Sequence, residues 1–456
     1  MKTWSKITLV LLLLAVTPGI TIASGQKPED SAPQVWTARK AVYYALRNNP
    51  DSGMARQRLK AAQSMVTMEK SSLYPQLAFS SRYSQTDNPM YSFGNILNQG
   101  AFNSTIDFNN PGRTDDLNMG VRVNYRLYNG GRDLAGIEGA EAHEEAAEKE
   151  LGAIRDELAF GAIRTFNLII QAEGIVKAHQ TALEAINTSL AVAQARYNEG
   201  VLLRADVLNL EVQQSRSEEN LIQAQNSLEE ARKVFLNLMG LKEGVVQIFP
   251  DITEEQEIPS GRTAENRFEL QAAEAMVRAA EARLKQAQGG RLPTVEGFAG
   301  YDFDHGTVTD HDGDSWLAGV QLSYTLFDGR RTSAAVAAAA ASLAEAKERL
   351  RKTELAIELE IRRAELAVHD AETRLAVTEK GVEQAKESAR IYRARFREGE
   401  VLASDLVTAE NGLTEALLRK TVAGSAHNIA IAGLRKALGL EQFPDLDKEN
   451  PAGKGS

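Results

Sequence analysis

Residues 196–211 read RYNEGVLLRADVLNLE, and residues 395–410 read RFREGEVLASDLVTAE. Arg196, Glu199, Gly200, Asp206 and Glu211 recur as Arg395, Glu398, Gly399, Asp405 and Glu410, each 199 residues further on. Tyr197 recurs as Phe396. In both copies a long helical pattern runs in, breaks at the glycine and resumes at the aspartate. Glycine takes the left-handed geometry that ends a helix at low cost, and aspartate accepts the free amides that open one. Each copy therefore predicts a tight turn between two helices, with tips at 196–206 and 395–405. The chain is a duplicated protein, with a first repeat over 24–241, a linker over 242–262 and a second repeat over 263–440.

Working back from each tip, the helical pattern is long. In the second copy it runs from about Arg331 to Arg397, on the order of 100 Å at 1.5 Å per residue. Its apolar seam alternates steps of three and four: Ile361, Ala364, Val368, Ala371, Leu375, Thr378, Val382, Ala385, Ala389, Tyr392 and Phe396. The first copy keeps the register from Ala162 to Tyr197, and the returning helix continues it through Val207, Leu210, Leu221, Ala224, Leu228 and Phe235. A sustained seven-residue repeat means helices packed nearly parallel, in coiled-coil fashion.

Before each long helix the period changes to two, and each change follows a proline, Pro75 or Pro293. Leu77, Phe79 and Tyr83 alternate with polar residues. After a polar stretch from about Thr86 to Asp115, Leu117, Met119, Val121, Val123, Tyr125 and Leu127 face one way. Asn118, Gly120, Arg122, Asn124 and Arg126 face the other, which is the signature of a strand. The second half has Val295, Tyr301 and Phe303, with Phe298 breaking the pattern, then an acidic loop DHGTVTDHDGDS, then Trp316 to Leu326 in alternation. Two hairpins follow, at 75–128 and 293–327.

Composition limits what these parts can be. The chain of 456 residues has a net charge of -10, which argues against nucleic acid as a partner. Cysteine is absent, so there is no disulfide framework and no lipid-modified cysteine. Lys2 and Lys6, the apolar run Ile7 to Val16 and the small residues near Ala23 predict a cleaved secretory signal over 1–23. Nothing beyond it offers roughly 18 consecutive apolar residues, so any membrane crossing must be made by strands. Each strand, at about ten residues with one apolar face, is long enough to cross a bilayer tilted. Four strands cannot close a barrel, because the smallest membrane barrels have about eight, so spanning requires several copies.

With these elements in order, the chain resembles the TolC-like outer membrane efflux proteins across essentially the whole mature sequence. Four features carry the resemblance: the duplicated halves, a hairpin between long helices, the proline opening each hairpin and the R-Y/F-x-x-G…D-V/L tip. It implies a mainly α protein with membrane β, assembled as a homotrimer whose twelve-stranded β-barrel continues into a periplasmic α-barrel. The tips would close the tunnel at its inner end and meet a periplasmic adaptor linked to an inner-membrane pump. No reaction and no cofactor are implied. Gly200 and Gly399 match the family's tip glycines, and Asp206 and Asp405 its acids opening the return helices. A second acid that narrows the aperture in family members is Thr408 here, with Asn209 as its first-half counterpart. A basic residue that helps lock the tip in some members is replaced by Val401. The adaptor-contacting tip would comprise Arg196, Tyr197, Gly200, Val201, Leu202, Arg395, Phe396, Gly399, Val401 and Leu402. Tripartite efflux and type I protein secretion both fit, with a secreted coiled-coil adaptor lacking a pore as a distant third reading.

The remaining polar residues invite other chemistry. Asp304, His305, Asp310, His311, Asp312 and Asp314 suggest a metal loop, but the DxDG stretch lacks a calcium loop's downstream glutamate and reads as solvated surface. His179 lies on a helix seam and reads as a packed histidine. Neither a phosphate loop, an HExxH nor a G-x-S-x-G elbow occurs, and the carboxylates follow helix faces, so no enzyme is expected.

Overall fold

Each half changes period at a proline, and the backbone changes with it. The computed structural model describes residues 33–249, 258–259 and 264–443. The predicted secretory signal, residues 250–257 and 260–262 of the linker and residues 444–456 of the polar C-terminal tail that the sequence predicts over 441–456 lie outside the described residues. The first half contains β1 (Val35–Trp36), α1 (Ala38–Asn48), α2 (Pro50–Lys70), β2 (Gln76–Thr86), α3 (Pro89–Asn98), β3 (Thr114–Tyr128), α4 (Arg132–Asn198) and α5 (Arg204–Leu238). After β4 (Gln247–Ile248), the second half contains α6 (Phe268–Gly289), β5 (Thr294–Gly306), β6 (His311–Ser323), α7 (Arg331–Glu398) and α8 (Ala403–Ala437).

The four long strands form one antiparallel sheet in the order β2-β3-β5-β6. Its register sorts the side chains by face. Phe79, Val121, Tyr301 and Trp316 lie in one row, and Ser80, Gly120, Asp302 and Ser315 in the next. Opposed residues share a face and alternate rows change face, so one side is apolar and the other polar. The apolar side is uncovered within the chain, with Trp316 76% and Val320 68% exposed. Among the described residues, no helix is long and apolar enough to cross a membrane.

Several expectations need correction. The acidic stretch 304–315 is mostly strand: β5 runs to Gly306 and β6 starts at His311, leaving only 307–310 as a turn. Tyr324 and Leu326 lie beyond the end of β6. Phe298 does break the alternation, as its sequence position indicates: it sits on the polar face opposite Asn124, and its ring covers Gly319. The polar stretch after Thr86 holds a helix, α3, opened by Pro89 and capped by Asn88, whose Oδ1 accepts Met90 N–H at 3.1 Å. Within the presumed linker, β4 pairs in parallel with β1.

α4 and α7 are continuous helices of 67 and 68 residues. Every predicted seam position on α4 and α7 is buried or half-buried except Tyr197, which is 38% exposed. The main core gathers Trp36, Val42, Tyr44, Phe166, Ile169 and Phe235 where α1, α4 and α5 meet. Trp36 packs edge-on against Tyr44 and Phe235 at 5.4 and 5.1 Å. The two long helices are not equally covered. Leu355, Leu359, Leu366 and Val377 on α7 are 60%, 50%, 69% and 64% exposed.

A charged junction ties the second half to α4. Arg267, 3% exposed, donates to Glu360 at 2.8 Å, to Glu269 at 3.0 Å and to the Ala437 carbonyl at 3.0 Å. Lys436 on α8 pairs with Glu157 on α4 and, at 3.5 Å, with Glu360 on α7. Beside them, burial and then the Glu269 charge push the Asp156 carboxyl up to about 6, opposed by Arg267 and Arg155 and reinforced by Glu441. The folded chain thus favours the neutral acid. That contribution is present below the unfolded carboxyl's pKa of about 4 and is lost as pH rises through about 6. Asp156→Asn should therefore stabilise the protein by about 1 kcal/mol at neutral pH, allowing for partial solvent screening, with the gain vanishing toward acid. Thermal unfolding of both forms at pH 7.5 and pH 4.5 checks this, and an equal gain at both would sink it.

Candidate functional site

Both tips end their helices in the same way. α4 stops before Gly200, at φ +78°, with Val201 N–H donating to the Arg196 carbonyl at 3.0 Å. α7 stops before Gly399, at φ +86°, with Glu400 N–H donating to the Arg395 carbonyl at 2.9 Å. This is the glycine C-cap the repeated sequence calls for. The return helices open differently from expectation. Leu203 and Leu402 occupy the N-cap positions, and Asp206 and Asp405 stand one turn in. Asp405 still serves the helix start, because its carboxylate accepts Leu402 N–H at 3.3 Å, whereas α5 has no side-chain cap bond.

The two tips pack into one body. Ala193 and Val207 of the first repeat and Phe396 and Leu406 of the second are fully or almost fully buried together, with Leu202 and Val401 against them. Arg196 crosses between the repeats: its Nη1 donates to the Phe396 carbonyl at 2.7 Å, and its guanidinium stands 6.0 Å from that ring. Its equivalent, Arg395, stays on its own hairpin and pairs with Glu400 at 3.1 Å. Further up, Gln213 donates to Asn411 at 2.9 Å and joins the two return helices. Val201 and Leu402 are 60% and 63% exposed, so the tip presents apolar side chains to its surroundings.

Of the proposed aperture residues, Asp405 and Thr408 line one groove with Ser388 and Tyr392 between α7 and α8. Asp206 and Asn209 stand on the other hairpin. Sequence reasoning missed Arg393 and the role of Glu410. Arg393 on α7 makes a two-pronged ion pair with Glu410 on α8, whose side chain is 3% exposed. The recurrence of Glu211 as Glu410 was a signal, but the first-half counterpart of Arg393 is Gln194, so the pairing is not repeated.

The acidic stretch is not wholly the solvated surface expected: Asp304 is buried on the polar sheet face, where its Oδ1 accepts Asn118 Nδ2 at 2.9 Å, while the exposed His311 bonds its neighbouring Thr309 carbonyl at 2.6 Å. Among the described residues no three His, Asp or Glu side chains are grouped to hold a metal. His179 is half-buried beside α5, and burial lowers its pKa.

The sequence matches the family model described as outer membrane efflux protein over residues 41–241 and 260–440, one block in each repeat. It is 21% identical over 428 residues to the outer membrane efflux protein BepC of Brucella suis biovar 1 (strain 1330), covering 92% of this chain and 88% of that one. Its fold is similar to the Campylobacter jejuni CmeC outer membrane channel, with a TM-score of 0.78 at 18% identity over 90% of this chain and 88% of that one. VceC from Vibrio cholerae is similar at a TM-score of 0.75 and 20% identity, over 89% and 97% of the two chains. The architecture is therefore that of the TolC-like trimeric channels, in which a β-barrel continues into an α-barrel. Repeated tips, a two-faced sheet and a family match through both repeats lead to one conclusion: the chain belongs to the outer membrane efflux protein family.

Proposed function

We propose that this chain is the exit duct of a tripartite efflux system, passively conducting substrates to the exterior as a homotrimer. The observation that carries this reading is the pairing of a four-stranded, two-faced sheet with a packed double helical tip roughly 100 Å of helix away. β2 and β6 are the sheet's edges, and an unpaired edge in lipid leaves backbone groups without partners. Three copies pair those edges and close twelve strands, with lipid on the apolar face and water on the face of Arg122, Asp302 and Gln321. The large helical part then stands in the periplasm. The exposed tip residues Val201 and Leu402 offer a surface to a periplasmic adaptor, through which an inner-membrane pump loads the duct. No step of this work breaks or forms a bond, and no cofactor is needed.

Three copies of the exposed Asp405 would ring the inner aperture and favour cations. In planar bilayers the purified protein should conduct weakly and prefer cations, and Asp405→Asn should cut the cation-to-anion permeability ratio by roughly twofold or more. Unchanged selectivity would remove Asp405 from the aperture. A complete lack of conductance, even in a variant whose tip is forced apart, would remove the duct itself.

A further inference from the structure

The connection between β2 and β3, residues 87–113, is far longer than the turn 307–310 that joins β5 to β6. Both lie at the end of the sheet away from the helices, the outer end of the proposed barrel. The sheet register tells on which face the long connection rests. Gly313 pairs with Asp304, which pairs with Asn118, so all three share the polar, water-facing side. A Cβ added at Gly313 would run into the Asn98 carbonyl, and one at Gly306 on the same side would run into the Gln99 side chain. These two glycines leave a notch in the inner wall, and the end of α3 occupies it.

The segment is built to stay there. Gln99 is fully buried; its amide donates to the Asp115 carbonyl at 2.7 Å and to Asp116 Oδ1 at 3.2 Å, and its Oε1 accepts Thr309 Oγ1 at 2.7 Å. Asn95 donates to Thr114 Oγ1 at 3.1 Å, and Ser92 to the Gly112 carbonyl at 2.5 Å. Phe93 packs against Phe102 and Phe108 at 5.9 and 4.7 Å, giving the connection a small core of its own. Buried polar groups satisfied in this way hold one arrangement rather than many.

We infer that residues 87–113 form a fixed lid, seated by Gln99 in the Gly306–Gly313 notch inside the outer mouth of the barrel, which bars bulky external solutes from the lumen. The inference rests on the barrel reading above. The second hairpin has no such insertion, so a trimer carries three lids, one per protomer, each overhanging the same opening. A lid anchored on the inner wall narrows the mouth without closing it, which suits a duct that releases cargo yet must not admit large molecules from outside.

The chain contains no cysteine, so single cysteines report cleanly. Gln321 lies on the polar face, deeper than the lid, and Val320 lies on the apolar face. Intact cells carrying Gln321→Cys are treated from outside with a small charged maleimide and with one bearing a polyethylene glycol of about 1 kDa. Replacing residues 87–113 by a copy of the 307–310 turn should speed labelling by the bulky reagent roughly tenfold, and Gln99→Leu roughly threefold, while the small reagent is unaffected. Equal bulky labelling in all three forms would overturn the lid, and Gln99→Leu keeps the test valid if the shortened chain fails to fold. If Val320→Cys reacts with the small reagent as fast as Gln321→Cys, the barrel reading fails instead.

Discussion

Arg393→Met should loosen the second tip by about 3 kcal/mol, raising amide exchange across residues 388–412 on the order of a hundredfold. The reason is Glu410. Its side chain is 3% exposed, and Arg393 meets both of its oxygens, one of them at 2.6 Å. Removing the guanidinium leaves a buried charge with no counterpart, which costs far more than an ion pair itself contributes. The duplicated glutamate supplies an internal control. Glu211 faces Arg204 at 3.5 Å with both side chains at least 40% exposed, so Arg204→Met should cost less than about 0.5 kcal/mol. The double change Arg393→Met with Glu410→Leu should recover most of the loss, because it removes the stranded charge as well. Exchange that stays as fast in the double variant would show that the guanidinium acts through packing rather than charge.

Gly399→Val should have the second large effect, costing about 3 kcal/mol and raising trimer conductance severalfold. Two causes combine. The backbone there is left-handed, at φ +86°, which a β-branched residue adopts only with strain. A side chain would also run into the Arg196 guanidinium, displacing the group that holds the two tips together through the Phe396 carbonyl. Gly200 matches Gly399 in sequence and has a similar φ of +78°, but a Cβ there meets nothing within 4 Å. Gly200→Val should therefore carry the backbone cost alone, about 1–2 kcal/mol, and leave conductance near wild type. Equal conductance changes in the two variants would mean that the crossing arginine does not hold the tip.

The sequence made legible what depends on local period. Six alternating residues from Leu117 to Leu127 announce a strand, and the seams ending at Tyr197 and Phe396 announce paired helices, because one face of each must be buried. It concealed what depends on distant partners. α3 spans only ten residues in a stretch rich in Asn, Gly and Pro, too short for a helical period to stand out, and it is held by polar bonds from Ser92, Asn95 and the following Gln99 to the β3 end and the 307–310 turn. Asp312 and Asp314 read as loop because aspartate disfavours strands, yet pairing with β5 overrides that preference. The tip was legible in outline only. Repetition identified Gly200 and Gly399, but the same repetition hid the differences that count: Arg196 crosses where Arg395 does not, and Glu410 is buried where Glu211 is not.

The unequal covering of the two long helices has a genetic consequence. α4 buries apolar residues along its length within its own protomer, whereas α7 leaves Leu355, Leu359, Leu366 and Val377 exposed, and in the proposed trimer a neighbour would cover them. Damage to the α4 core ruins the chain that carries it, and in a bacterium with a second, normal copy such an allele is recessive. A charged residue placed on the open face of α7 leaves its own chain able to fold. That subunit enters the ring through its unaltered side and spoils the seam on the other, taking two normal partners out of service. Alleles at these four leucine and valine positions should therefore be dominant.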